Sequence, residues 1–284
     1  MRKSMATVIF LLISHINIAN AELSEDISNI RIEMLSSPYE TIKKCSEAGE
    51  KSCQIKLALN SMEGNSRLKD RSGEIDYKKA EHWLITLTGQ SPTARLLLGR
   101  IRIQQGKTKE AKALISSSGT ENFSPALDHL ISPIDRIYIG EDKEQQETQS
   151  LKWELKAFML RKDPDIAYYI AAHFITPPYK DCAAAKLWFA RATEGHNANI
   201  NAQQLLGEQY ETGDCMPQDY VMAYMMYDLG GTAVAEQKHA LAEKMTPEQI
   251  NEGTLRSYQW QEQNHSYRVG YGVGNSYDIH WNIH

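Results

Sequence analysis

The sequence lacks the signatures by which enzymes are most readily recognised. It has no G-x-S-x-G elbow, no P-loop and no dinucleotide fingerprint, and no S-x-x-K is accompanied by S-D-N or K-T-G. It has no C-x-x-C, and no histidine stands at ligand spacing from a cysteine, which argues against zinc. His280 and His284 are four apart but lack the glutamate of H-E-x-x-H, and they lie in a terminal stretch without helical period. No catalytic residue, metal or cofactor is therefore expected. A concentrated basic face is also missing: the formal charge is -5, which argues against nucleic acid as a partner. Strand signals are absent until the last residues.

Long apolar runs are absent as well, apart from one near the start. Arg2 and Lys3 precede the apolar stretch Met5 to Ile13, and Ala19-Asn20-Ala21 follows it before acidic Glu22, Glu25 and Asp26. A basic start, a short apolar run and a small-residue site read as a secretory leader over 1–21. The run is too short for a permanent bilayer span, so no stable membrane insertion is expected after cleavage. No cysteine follows it to mark a lipoprotein. Losing the two basic residues of the leader takes the formal charge from -5 to -7. The predicted location is the periplasm or the exterior.

All four cysteines, Cys45, Cys53, Cys182 and Cys215, lie beyond the leader. In an oxidising compartment an even count predicts disulfides, with metal binding or free thiols as the alternatives. Cys45 and Cys53 are closest in sequence, across a stretch containing Gly49, and a helix, a tight turn and a returning helix could join them. Cys182 and Cys215 would then be left for each other.

Internal repetition is the strongest positive signal. Asp181, Ala185, Trp188, Phe189 and Ala192 recur 38 positions later as Asp219, Ala223, Met226, Tyr227 and Gly230. An earlier copy reads Asp76, Ala80, Trp83, Leu84 and Leu87. These spacings lie on one helical face, with Asp placed to cap the helix. A companion pattern runs through Ala202, Leu206, Gly207, Tyr210 and Gly213, with partial copies at Cys53, Leu57, Ala58 and Gly64, at Ala94, Leu98 and Gly99, and at Ala167, Ala171 and Ala172. The small residue after each Leu lets helices approach closely, and the glycine that follows ends the helix.

The spacing predicts helices over Ser24–Met34 and Tyr39–Glu47, then pairs at 53–64 with 76–88 and 92–105 with 108–116. Further helices are expected near 124–132 and 143–160. Pairs resume at 165–175 with 181–194 and at 199–212 with 219–230. A closing helix follows from Ala235 to Lys244, and another starts at Thr246-Pro247-Glu248. The expected fold is all-α, an α/α solenoid. Its parts are a leader (1–21), lead-in helices (22–52), degenerate repeats (53–118), an irregular helical connector (119–164), repeats with a capping helix (165–265) and a Gly/aromatic tail (266–284).

Two stretches resemble a known family. Ala202-x3-Leu206-Gly207-x2-Tyr210-x2-Gly213, followed by Pro217-Gln218-Asp219-x3-Ala223-x3-Tyr227, is similar to the Sel1-like repeat, a relative of the tetratricopeptide repeat. Leu241-Ala242-x2-Met245-Thr246-Pro247-Glu248-Gln249-Ile250 looks like the segment that often follows the last such unit. Met226 stands where the family prefers Trp, and Cys215 replaces a loop glycine. The Cys45/Cys53 spacing resembles the helix staple of cysteine-rich secreted members; the other two cysteines do not reproduce it.

The resemblance implies a module that grips another protein along a curved surface. Exported relatives include immunity proteins against periplasmic phospholipase effectors, and a few cysteine-rich members are described as penicillin-binding or weak β-lactamases. Fold does not fix function. The reading is a periplasmic binding module, in its most concrete form an immunity protein against a secreted toxin. The alternatives are a general envelope scaffold and, last, a β-lactam or cell-wall hydrolase. Most aromatics coincide with repeat positions and are explained by packing. Tyr168, Tyr169 and Tyr224 fall off that pattern and are the candidates for an exposed groove, together with Trp281 in the tail. His173, within a repeat helix, is read as a core or groove histidine.

Overall fold

The computed structural model describes residues 27–63, 74–131, 142–195 and 197–266. The leader, Gly64, the histidines of the tail and Trp281 lie outside the described residues. No β-strand occurs among the described residues. The chain divides into two compact units, Met1–Asp142 and Lys143–His284.

The first unit contains α1 (Ile27–Ser36), α2 (Tyr39–Glu47), α3 (Lys51–Glu63), α4 (Tyr77–Ile85), α5 (Pro92–Gln104), α6 (Thr108–Thr120) and α7 (Ser124–Ile131). Each of α3 to α7 packs on the helix before it, and α3 also touches α5. The second unit contains α8 (Lys143–Arg161), α9 (Pro164–Ile175), α10 (Cys182–Ala192), α11 (Ile200–Thr212) and α12 (Tyr220–Gly230). A 3-10 turn (Gly231–Val234), α13 (Ala235–Ala242) and α14 (Pro247–Asn264) complete it. Here α8 to α12 pack in succession, α9 touches α11, and α14 closes on α12. Each unit thus stacks helix pairs in the manner of a solenoid. The stretch expected as a connector is shared between them, α7 going with the first and α8 with the second.

The repeated aspartates explain where the second helix of each pair begins. Asp76, Asp181 and Asp219 each accept backbone N–H groups of the following turn on the side-chain carboxylate. Their own N–H groups donate to the carbonyls of Ser61 (2.7 Å), Phe174 (2.8 Å) and Tyr210 (2.9 Å) in the preceding helix. One residue type therefore caps the second helix and ties it to the first. At the corresponding place before α6 stands Lys107, which makes no side-chain cap.

The small residues set how closely each pair packs. A Cβ on Gly207 would lie 2.6 Å from Tyr227 Cε1, and one on Gly99 would lie 2.6 Å from Ile115 Cγ1. Ala58, Ala80, Ala185, Ala202 and Ala223 are fully buried, with Leu57, Leu98 and Leu206 beside them in the core. Of the large repeat pair, the second residue (Leu84, Phe189 or Tyr227) fills the core, while Trp83 and Trp188 stay half-buried at its edge. Gly213 ends α11 with φ at 75°, a conformation open to glycine.

Both predicted cysteine pairs are disulfides. Cys45–Cys53 joins the end of α2 to the start of α3, and Cys182–Cys215 ties the start of α10 to the loop after α11. No cysteine is free. Two structural disulfides are characteristic of an oxidising compartment. Among the described residues no helix is long and apolar enough to cross a membrane.

Candidate partner-binding face

Helix α9 positions the two predicted tyrosines. Asp163 caps it, Pro164 takes its first turn, and Ile166, Ala167, Ile170, Ala171 and Phe174 turn inward. That register leaves Tyr169 facing out, 42% exposed, with Tyr168 half-buried beside it. The two rings lie 5.2 Å apart and tilted by 53°. Burial pushes the Tyr168 phenol above its usual range, and the neighbouring Tyr169 and Glu208 add to this, so it remains a neutral donor. Glu208 lies on α11, where it accepts from Gln204 at 3.2 Å, and Asn199 ties the start of α11 to Asp165 at 2.6 Å. The face thus presents two phenols, an amide and a carboxylate. These groups can stack and hydrogen-bond, as protein interfaces require.

Tyr224 does not join them. It is 9% exposed and belongs to the core formed with Ala223, Tyr227, Val234 and Leu241. A Cβ on Gly253 of α14 would lie 2.8 Å from its ring, and Lys238 covers the ring at 5.7 Å from the centroid. The expectation of an exposed groove at Tyr224 is corrected for this reason: α14 docks on α12 where the glycine leaves room. Trp281 falls outside the described residues.

The structure also brings together groups the sequence did not connect. Glu154 of α8 is 2% exposed; it accepts from Ser150 Oγ at 2.7 Å and faces His173 Nε2 of α9 at 3.2 Å. Burial works to lower the His173 pKa, but the bond to Glu154 and the charges of Glu154 and Glu147 outweigh it and raise it. Nearby, the Tyr179 hydroxyl donates to the Glu144 carbonyl at 3.2 Å and shares a hydrogen bond with Thr148. The carboxylate stands between hydroxyl and imidazole, so this is not the order that activates a serine, in which the histidine touches the nucleophile. The arrangement locks α8 onto α9. His173 had a signal in its place on a repeat helix; Glu154 had none, because a single Glu in a charged helix reads as surface.

A shallow depression in the first unit, about 80 Å³, is lined by Leu59, Met62, Glu63, Tyr77, Arg100 and Gln104. Ligand pockets typically run to ~300–1,000 Å³, so it falls well below the usual size of a small-molecule site. Among the described residues no group of His, Cys, Asp or Glu is arranged to hold a metal.

No family model matches the sequence, and no curated protein does. Solved structures do match. A protective antigen present in uropathogenic Escherichia coli strains, described as displaying an SLR fold, aligns with 84% of this chain at TM-score 0.54 and 20% identity. This is the Sel1-like repeat fold. The chain spans about half of that antigen's length, 53%. A Sel1 repeat protein from Oxalobacter formigenes is also similar, at TM-score 0.42 and 18% identity, over 79% of this chain and 80% of its own. At these identities the likeness concerns the fold alone.

Proposed function

We propose that this Sel1-like repeat chain is an exported protein-binding module, and that it acts in the periplasm as an immunity protein neutralising a secreted, phospholipase-type toxin. The observation that carries the reading is the Tyr168/Tyr169 pair, with Tyr169 turned outward, beside a buried Ser150–Glu154–His173 cluster that is engaged in holding helices together. Tyrosines of this kind bring large, stiff contact area at low entropic cost. The leader and the two disulfides support an oxidising compartment. The repeat fold supports binding over chemistry, by analogy with other repeat arrays.

The test uses the mature, disulfide-intact chain as bait in an envelope extract. One dominant protein should be recovered, it should bind the purified bait tightly, and its hydrolytic activity should fall when the bait is added in equal amount. A well-folded bait that recovers nothing overturns the reading. A set of weakly bound assembly proteins would favour a general envelope scaffold instead.

A further inference from the structure

The charge of this chain is unevenly distributed. Residues 152–162 carry Lys152, Lys156, Arg161 and Lys162 against the single carboxylate of Glu154, and α10 carries Lys186 and Arg191 with no carboxylate, in a chain of net charge -5. Glu154 is buried and turned inward to His173 and Ser150, so it does not neutralise the outer side. Among the described residues, Lys152, Lys162 and Arg191 pair with no carboxylate.

Aromatic rings hold these cations in place. Phe158 of α8 meets Trp188 of α10 edge-on, with centroids 4.8 Å apart. Arg191 Cζ lies 4.5 Å from the Trp188 centroid and 6.0 Å from that of Phe158. Lys162 Nζ stands 5.3 Å from the Phe158 ring and 3.7 Å from Met159 Sδ. Lys152 Nζ lies 5.5 Å from the Trp153 ring. Around them Met159, Leu160 and Leu187 are exposed by 37%, 39% and 61%. A guanidinium held against a ring keeps its edge N–H groups free and has already lost much of its side-chain freedom. It is set up for a carboxylate fork.

We propose that the face formed by the C-terminal half of α8 and the outer side of α10 docks an acidic segment of a partner protein, with carboxylates on Lys152, Lys162 and Arg191 and apolar side chains against Met159, Leu160 and Leu187. This rests on the protein-binding reading above and names the chemistry of the partner. Charge complementarity selects the occupant: cations that pair with no carboxylate steer a negatively charged segment onto this face. A bilayer fits less well. Trp153 and Phe158, which would anchor in a membrane interface, are 4% and 6% exposed and packed inward.

The probe is a fluorescent peptide of alternating Glu and Leu, compared with its Gln/Leu counterpart and with phosphatidylglycerol–phosphatidylcholine vesicles, on the mature chain. The acidic peptide should bind, weaken with added salt, and lose roughly tenfold or more in affinity in Arg191→Glu and Lys162→Glu chains that melt as the parent does. Arg191→Gln should give an intermediate loss, since it removes attraction without adding repulsion. Equal binding of the two peptides, indifference to both charge reversals, or binding of vesicles but not of the acidic peptide would overturn the face. A natural partner captured equally by the parent and the Arg191→Glu chain also overturns it, while leaving the protein-binding reading intact. Failure to capture any partner strikes that reading instead.

Discussion

The backbone of Gly207 lies against the ring of Tyr227, so closely that a Cβ at 207 would stand 2.6 Å from Cε1 and 2.8 Å from Cδ1. Tyr227 cannot yield easily: it is 1% exposed, and its hydroxyl donates to Glu211 at 2.9 Å. Gly207→Ala should therefore force α11 and α12 apart and cost about 1–3 kcal/mol. Gly89→Ala, where nothing lies within 4 Å of the new Cβ, is the control and should be near neutral. Denaturant unfolding of the two variants checks this; equal stabilities would contradict the close-packing account.

The aspartate caps should be worth less, and unequally. Asp181 Oδ1 accepts from the N–H groups of both Ala183 and Ala184, whereas Asp219 Oδ1 accepts from Met222 alone. Replacement by Ala is expected to cost about 1 kcal/mol at Asp219 and somewhat more at Asp181. Replacement by Asn should recover most of the loss at both sites. Thermal unfolding of the four variants measures the order.

Much of this frame was legible beforehand. Asp, small residue and large pair at fixed offsets report capping and close approach, which are local demands on a helix, and they placed α10 to α12 closely. The uncapped start of α6 at Lys107 had no such signal. The binding face was harder to read. Tyr168 and Tyr169 stood out because they break the repeat. Tyr224 broke it too and is nevertheless buried, because Gly253, 29 residues further on, makes room for its ring. The Arg191–Trp188–Phe158 stack and the Glu154–His173 pair join residues from different helices, and no periodicity along one helix can announce such a meeting.

The Glu154–His173 pair should make the second unit's stability depend on pH. The folded pKa of His173 is raised above its ordinary value of about 6.5. The stabilisation it brings is complete below about 6.5 and is lost as the pH rises through the folded value. Parent and His173→Gln melting temperatures, compared from mildly acidic to mildly alkaline pH, should differ most at the acidic end and converge upward. A gap that stays constant would show that the histidine does not titrate against Glu154.

The two disulfides should protect different parts of the chain. Loop-closure arithmetic gives about 2–3 kcal/mol for the short Cys45–Cys53 loop and about 3–4 kcal/mol for Cys182–Cys215, which spans more chain. Changing Cys45 and Cys53 together to Ser should raise amide exchange in α2 and α3, with α9 to α12 unaffected. The Cys182/Cys215 double variant should do the reverse. Equal loosening of both units in either variant would contradict this assignment.

Hydrogen exchange of the mature chain, with and without its captured partner, measures whether this repeat frame holds another protein. Slowed exchange is expected in peptides of the second unit covering Tyr168–Tyr169, Lys152–Lys162 and Leu187–Arg191, with the buried core of α11 and α12 unchanged. Exchange unchanged everywhere in the presence of saturating partner would contradict it.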